Sequence, residues 1–421
     1  MKIRLIPFLL IVTIFCLIRF PSLYLVPFMK SPFVLSHNVV RAFIIILFGL
    51  TLILKQQPII QKKNKLFMVV SIYFIATSLS VLSAQNLTSF LSVYKDLILG
   101  LMLGYAVFMN INKQSVYGIV RVMMGITLLS LIIELFTYLF PYVFLDLTKL
   151  LFNEQYLLFF EYQYGRGRIF GDTLNEAFLP FLFFYANSKS LFKSIPSLLG
   201  ILLSFFSMFV SGWRTKVIIF IFSLATSFIM FGRKYIHMIL LGILILSGVF
   251  VLLNNALVTI GQPSVVDRFV DIDAVEEKHN TSRVRYWKEA TDMGLSSLLF
   301  GVGLGNYFDS LSQNSKLQNM SNAYYQNQRF ILIDDPHNLF FSAFANTGLV
   351  GLLSLSLLIG YFLFTDLKFL LLDNKLIQGF VLVFWSLFIY AFFNPWMYFS
   401  YIALFWFMRG ILEKIKILDN S

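Results

Sequence analysis

Residues 281–294 read TSRVRYWKEATDMG and carry the densest set of side chains able to hold an anion. Asn280, Thr281 and Ser282 supply caps, Gly294 a stop, and the interior suits a helix. At i,i+4 spacing Arg285 meets Glu289, and Lys288 meets Asp292. A salt-bridged helix face accounts for those cations, with a substrate contact as the alternative for Arg285. Arg283 differs, because Tyr286 and Trp287 stand where an acid partner would be. An arginine stacked on an aromatic ring one turn away keeps its planar fork free for an anion. Arg283 and Trp287 therefore head the candidate site.

A second cluster is DDPHNLFFSAFANTGLVGLL, residues 334–353. Asp335 reads as an N-cap and Pro336 as the first helical residue, which puts His337 and Asn338 in the first turn. A helix N-terminus disfavours imidazolium and attracts phosphate, so His337 is a candidate proton acceptor and Asn338 a substrate contact. The bland alternative is a structural histidine. His37, His237 and His279 have weaker settings: a helix start, a basic connection and an acidic loop. Between the two clusters lies LLFGVGLGNYF, 298–308. Its glycines lack the strand and βαβ unit of a dinucleotide site, so they predict a tight turn where backbone approaches something closely.

Further candidates are scattered. Arg214, in FVSGWRTKV, sits in a short turn between apolar runs, where a cation needs a cavity or a partner; snorkelling is the alternative for it and for Lys216. Arg166 and Arg168 flank glycines in YGRGRIFGDTLNEAF, and Arg168 is a substrate-binding candidate. Glu134 lies inside an apolar run as a proton acceptor or a partner for arginine. Lys95 and Asp96 compensate each other or reach a neighbouring helix. Asp271 and Asp273 form a D-x-D pair in an acidic stretch that reads as solvated, so no metal site is expected.

These residues need elements to position them. The chain has 421 residues, of which 58% are hydrophobic and 13% charged, with mean hydropathy +0.79. Soluble domains carry roughly 25% charge, so a soluble enzyme, a disordered chain and a nucleic-acid-binding domain are excluded. The apolar residues come in runs of about 17–23, the length that crosses a bilayer core of about 30 Å. A β-barrel would need alternating segments of about ten residues instead. The reading is an all-α polytopic membrane protein of about 12 helices, at about 5–29, 38–54, 66–83, 90–110, 117–140, 172–187, 195–211, 215–231, 236–253, 346–364, 376–393 and 396–412.

The net charge of +12 falls mainly in alternate connections: Lys2 and Arg4, Lys55 to Lys65, Lys113, Lys189 and Lys193, Arg233 and Lys234, Lys368 and Lys375, then Lys414 and Lys416 in a tail. Cations gather in cytoplasmic loops, so both termini are expected in the cytoplasm and the first helix is expected to be uncleaved. The organisation is then 1–253 with nine helices and an outer loop at about 141–171, a large extracytoplasmic loop at 254–345, and 346–421 with three helices and a cytoplasmic tail. A ninety-residue connection is functional or disordered, and its aromatic and amphipathic stretches argue for order. The one cysteine, Cys16, excludes a disulfide framework.

Arg283-x-x-x-Trp287, GVGLGN at 301–306 and HNLFFSAFANTGLVGLL together resemble the O-antigen ligase/polymerase superfamily, the Wzy-type polymerases and WaaL-type ligases of bacterial membranes. RIFGDTLNEA (168–177) is similar to that family's Arg-x-x-Gly segment followed by Asn. SGWRTK is similar to its Ser-Arg-Gly segment, with Trp213 and Thr215 departing from it. The resemblance implies a GT-C-like, metal-independent glycosyltransferase without a cofactor, in the bacterial cytoplasmic membrane. Its implied donor is a glycan on undecaprenyl pyrophosphate, with membrane lipid, a chain-length regulator and a flippase as partners and no nucleic acid. Arg283, Arg214 and Arg168 would hold the pyrophosphate, and His337 would act as base. Polymerisation of repeat units is the first reading, and ligation to lipid A–core the second. A lipid-linked sugar transporter is the third, although such proteins usually show internal repeats and midplane sites, neither of which the sequence displays.

Overall fold

A computed structural model describes residues 32–54, 65–140, 214–231, 286–313, 335–370, 374–393 and 399–420, with short pieces elsewhere between 143 and 284. Among the described residues every regular element is helical. The spans expected at 5–29 and 172–187 lie outside them, and those at 195–211 and 236–253 are described only in pieces. In chain order we name α1 (Pro32–Leu54), α2 (Lys65–Leu79), α3 (Leu87–Asn110), α4 (Lys113–Leu139), α5 (Arg214–Phe231), α6 (286–296), α7 (Tyr307–Gln313), α8 (Leu339–Leu370), α9 (Lys375–Ala391) and α10 (Phe399–Asn420). Among the described residues Lys65–Ser83, Leu87–Asn110 and Leu339–Leu370 are long and apolar enough to cross a membrane, and shorter apolar helices flank them. The chain is a multi-pass helical membrane protein.

Helix ends follow local chemistry. Asn86 caps α3 by accepting from the Thr88 and Ser89 amides, and Asn112 with Ser115 forms a capping box on α4. The closest packing is between α3 and α10. A Cβ placed on Gly104 would stand 2.8 Å from the Trp406 carbonyl oxygen, and one on Gly100 would stand 2.8 Å from the Trp406 ring. Small residues four apart let two helix backbones meet in an apolar medium. Helices α2 and α3 are joined by one turn of 3-10 helix, Ser80–Ser83, and three more residues.

Charges inside the bundle are matched across helices. Arg41 of α1 donates to both carboxylate oxygens of Asp96 on α3, at 2.9 and 2.8 Å. Asp96 is buried while Lys95 beside it is exposed. Of the two expectations for this pair, contact with a neighbouring helix holds. Near the far end of α8, Asp366 accepts from Arg409 (3.0 and 2.9 Å), Lys416 (2.5 Å) and the Trp385 indole (2.9 Å). Glu413 pairs with Arg409 and Lys416, and the Arg409 guanidinium lies 3.7 Å from the centre of the Phe362 ring. Two sequence expectations are corrected here. Lys414 and Lys416 belong to a helix that continues to Asn420 rather than to a tail, and Lys416 is buried in this cluster. The clustered acids make that possible, because an ammonium is buried only where it is paired.

Candidate functional site

The long helix α8 is broken. Gly348 has φ 63° and ψ −162°, a conformation essentially confined to glycine, and it divides α8 into 339–347 and 349–370. The glycine turn 298–306 docks into the break. Val302 N–H donates to the Ala345 carbonyl (2.8 Å), and the Leu349 and Val350 amides donate to the Leu298 and Leu299 carbonyls (2.8 and 3.2 Å). A broken helix in an apolar medium must have its freed backbone groups satisfied, and the turn does this. Gly301 and Gly348 face each other so closely that a Cβ on either would reach 2.5 Å from the backbone of the opposing segment.

The same turn grips the 80–89 connection. Leu304 N–H donates to the Ser80 hydroxyl, and Ser83 donates to the Phe300 carbonyl. Asn306, fully buried, accepts from the Asn86 amide at 2.6 Å and donates to the Asn86 and Leu304 carbonyls. Ser89 donates to Asp309 at 2.7 Å. The close backbone approach predicted for the glycines is what the fold uses them for.

The half-helix 339–347 carries His337 and Asn338 at its start. Here the expected capping is corrected. Asn338 is the cap, since its Oδ1 accepts from the Phe340 and Phe341 amides (2.9 and 3.2 Å), while its Nδ2 donates to the Phe392 carbonyl (3.0 Å). Asp335 stands three residues earlier, 2% exposed, and accepts from the His337 amide and the Ser342 hydroxyl, both at 2.8 Å. His337 lies outside the helix with φ 56°, the left-handed region that costs a non-glycine residue roughly 1–2 kcal/mol. The Ser342 hydroxyl gives Asp335 a partner inside the helix, and the cap position itself falls to Asn338.

Trp287 of α6 comes to this place. Its indole N–H donates to the Pro336 carbonyl (3.1 Å), and its ring stacks on Phe341 with centroids 5.4 Å apart and planes 9° apart. Tyr286 meets the His337 ring edge-on at 6.4 Å, and the buried Tyr307 donates its hydroxyl to the Tyr286 carbonyl. The structure therefore brings Trp287, His337 and Asn338 together. Arg283, Arg285, Arg168, Asp271 and Asp273 lie outside the described residues. Arg214 begins α5 and Glu134 lies in α4.

Sequence reasoning passed over several residues of this site and of its supports. Asn306 and Tyr307 support it from buried positions, and Asp335, read only as a cap, holds the His337 turn. Lys216 is fully buried with its ammonium 3.1 Å from the Ser207 hydroxyl, which corrects the expectation of a snorkelling side chain. The available signal was position. Arg41, Asp366 and Arg409 stand inside or at the ends of apolar runs, where ionisable groups always need an account.

Residues 199–356 match the family model described as O-antigen ligase. That segment contains α5, α6, the glycine turn, His337 and the break in α8. No curated protein matches the chain.

Proposed function

We propose, from the premise that this chain belongs to the O-antigen ligase/polymerase superfamily, that it polymerises undecaprenyl-pyrophosphate-linked oligosaccharide repeat units at the outer face of the bacterial cytoplasmic membrane. The observation that carries this reading is the union of Trp287, from the Arg-x-x-x-Trp segment, with His337 on a turn held by buried polar bonds. In the reaction an acceptor hydroxyl attacks the anomeric carbon of the donor, and the bond from that carbon to the pyrophosphate oxygen breaks. His337 takes the hydroxyl proton. Arg283, Arg214 and Arg168 neutralise the charge that develops on the departing lipid pyrophosphate, a task arginine forks perform without a metal. Trp287 acts as a fixed wall beside His337, and Asn338 contributes by capping, since both of its side-chain polar atoms are engaged. Both termini are assigned to the cytoplasm and the segment 254–345 to the opposite side.

Ligation to lipid A–core is the second reading, favoured by the match to the O-antigen ligase family. Deletion of the gene separates the two. Loss of a polymerase leaves a single repeat unit on the core and removes the ladder on a polysaccharide gel. Loss of a ligase leaves bare core and carrier-linked polymer. Complementation with His337→Ala is expected to reproduce the deletion, because general-base catalysis contributes roughly 10²–10⁴-fold. A full ladder from His337→Ala removes this histidine from the mechanism.

A further inference from the structure

The exposed stripe of α6 changes character along its length. Lys288 and Asp292, one turn apart, are exposed and charged. One turn later α6 exposes Leu295 and Ser296, and the turn that follows exposes Leu298 and Leu299, the three leucines at 60%, 48% and 56%. Among the described residues no side chain covers these leucines, and three of them side by side are not scattered surface residues. Backbone bonds fix their level, since the Leu298 and Leu299 carbonyls accept from Leu349 and Val350 of α8. Leu349 and Leu353 are themselves exposed on a helix apolar enough to span a membrane.

Two further markers agree. The segment 349–370 rises about 33 Å at 1.5 Å per residue, which by itself crosses a hydrocarbon core of about 30 Å. Gly348 therefore lies at the boundary rather than deep within the core. On the other side of the turn, Leu82 is exposed while Gln85 and Thr88, a few residues on, are exposed and polar. Ser83 is bonded to Phe300, so this transition sits beside that of α6.

We propose that the hydrocarbon boundary at the His337 end passes between Asp292 and Leu295 and between Leu82 and Gln85, and that Leu295, Leu298 and Leu299 are sunk among the lipid acyl chains of that leaflet. The segment 295–304 is then a re-entrant anchor and not part of a water-filled loop. Its backbone groups meet the requirement for such an element, being bonded to the helix break and to the 80–89 connection. Continuity with the lipid-facing surface of α8 identifies the occupant as bilayer hydrocarbon. The anchor fixes the height of α6, and hence of Trp287, relative to the membrane plane.

The test uses the full chain reconstituted in phosphatidylethanolamine/phosphatidylglycerol vesicles, with Cys16→Ala as the background. Single cysteines at 288, 292, 295, 298, 299 and 353 carry an environment-sensitive fluorophore, read with lipid spin-labelled high on the acyl chain. Quenching at 295, 298 and 299 should match that at 353 and exceed that at 288 and 292 by about threefold or more, as for side chains buried below the headgroups. Equal quenching at 298, 299 and 288, or equally rapid reaction of 298 and 288 with a water-soluble maleimide, overturns the proposal. Protection from both water and lipid also overturns it, because another protein surface then covers the leucines. Leu299→Trp, read by quenching with brominated lipid above the parent background, repeats the measurement should the cysteine variants fold poorly.

Discussion

The two ends of α8 solve the problem of buried polarity in opposite ways. At the far end, Asp366, Arg409, Glu413 and Lys416 pair ion with ion, and the Trp385 indole completes the set. At the His337 end, the Asp335 carboxylate accepts from an amide and a hydroxyl, and Asn306 and Asn338 bond to backbone. The first arrangement locks α8 to α10 by matched charge and ties in α9 through the Trp385 indole. The second builds a backbone shape: a left-handed residue, a capped half-helix and a docked turn. Intramembrane charge marks function by default, yet here the most conspicuous charges are closed on one another. The segment that matches the ligase family stops before them, at 356.

Breaking the ion cluster should have the largest effect on stability and the smallest on chemistry. Asp366→Ala leaves Glu413 alone to balance two buried cations, Arg409 and Lys416, and removing one member of such a set costs about 3–5 kcal/mol. The variant should lose most of its folded protein in detergent melts. Joint replacement of Asp366, Arg409, Glu413 and Lys416 by apolar residues of similar volume should recover part of it. Activity per folded molecule is expected to stay near the parent level. A selective loss of activity at normal abundance would show that the far end takes part in the reaction and would erase the contrast.

Next comes the break in α8. Gly348→Ala places a Cβ 2.5 Å from the Leu299 carbonyl carbon on a residue at φ 63°. Neither backbone can yield without losing the bonds that join turn and helix, so a cost of about 2–3 kcal/mol is expected. Hydrogen exchange should rise at 298–306 and 345–350 and not at the Arg409 cluster. Uniform exchange over the whole of α8 would mean that the two ends are one cooperative unit and that the comparison divides what the protein does not.

The contrast was only half legible in the sequence. The glycine turn could be read because three glycines in five residues have few structural uses, and the described apolar helices could be read because apolar runs of bilayer length are local facts. What could not be read were partners distant in sequence. Asp96 offered Lys95 beside it and Arg41 fifty-five residues away, and the fold chose Arg41. Lys416 looked like a tail cation because Asp366, fifty residues away, counts only once α8 and α10 lie together. The cap of α8 was misplaced for a related reason. Asp335 reads as the cap because Pro336 follows it, and what moves the cap to Asn338 are contacts with Ser342 one turn inside the helix and with Phe392 beyond it.

The smallest change, Asp335→Asn, sharpens the comparison most. Its Oδ1 would still accept from the His337 amide, and the new amide group would donate to the Ser342 hydroxyl in place of accepting from it. The turn should survive with a loss of about 1 kcal/mol or less, since one hydrogen bond is exchanged for another. Asp335→Ala removes both bonds, leaves the His337 amide without this acceptor, and should cost about 1–3 kcal/mol. If Asp335 works by holding the turn, Asn keeps the polysaccharide ladder and Ala shortens or abolishes it at matched protein abundance. Equal loss in Asn and Ala, with the Asn protein folded, would mean that the ionised carboxylate itself is required. The His337 end would then depend on charge as the far end does, and the line drawn between hydrogen-bonded shape and ion-paired lock would fail at the residue where it matters for catalysis.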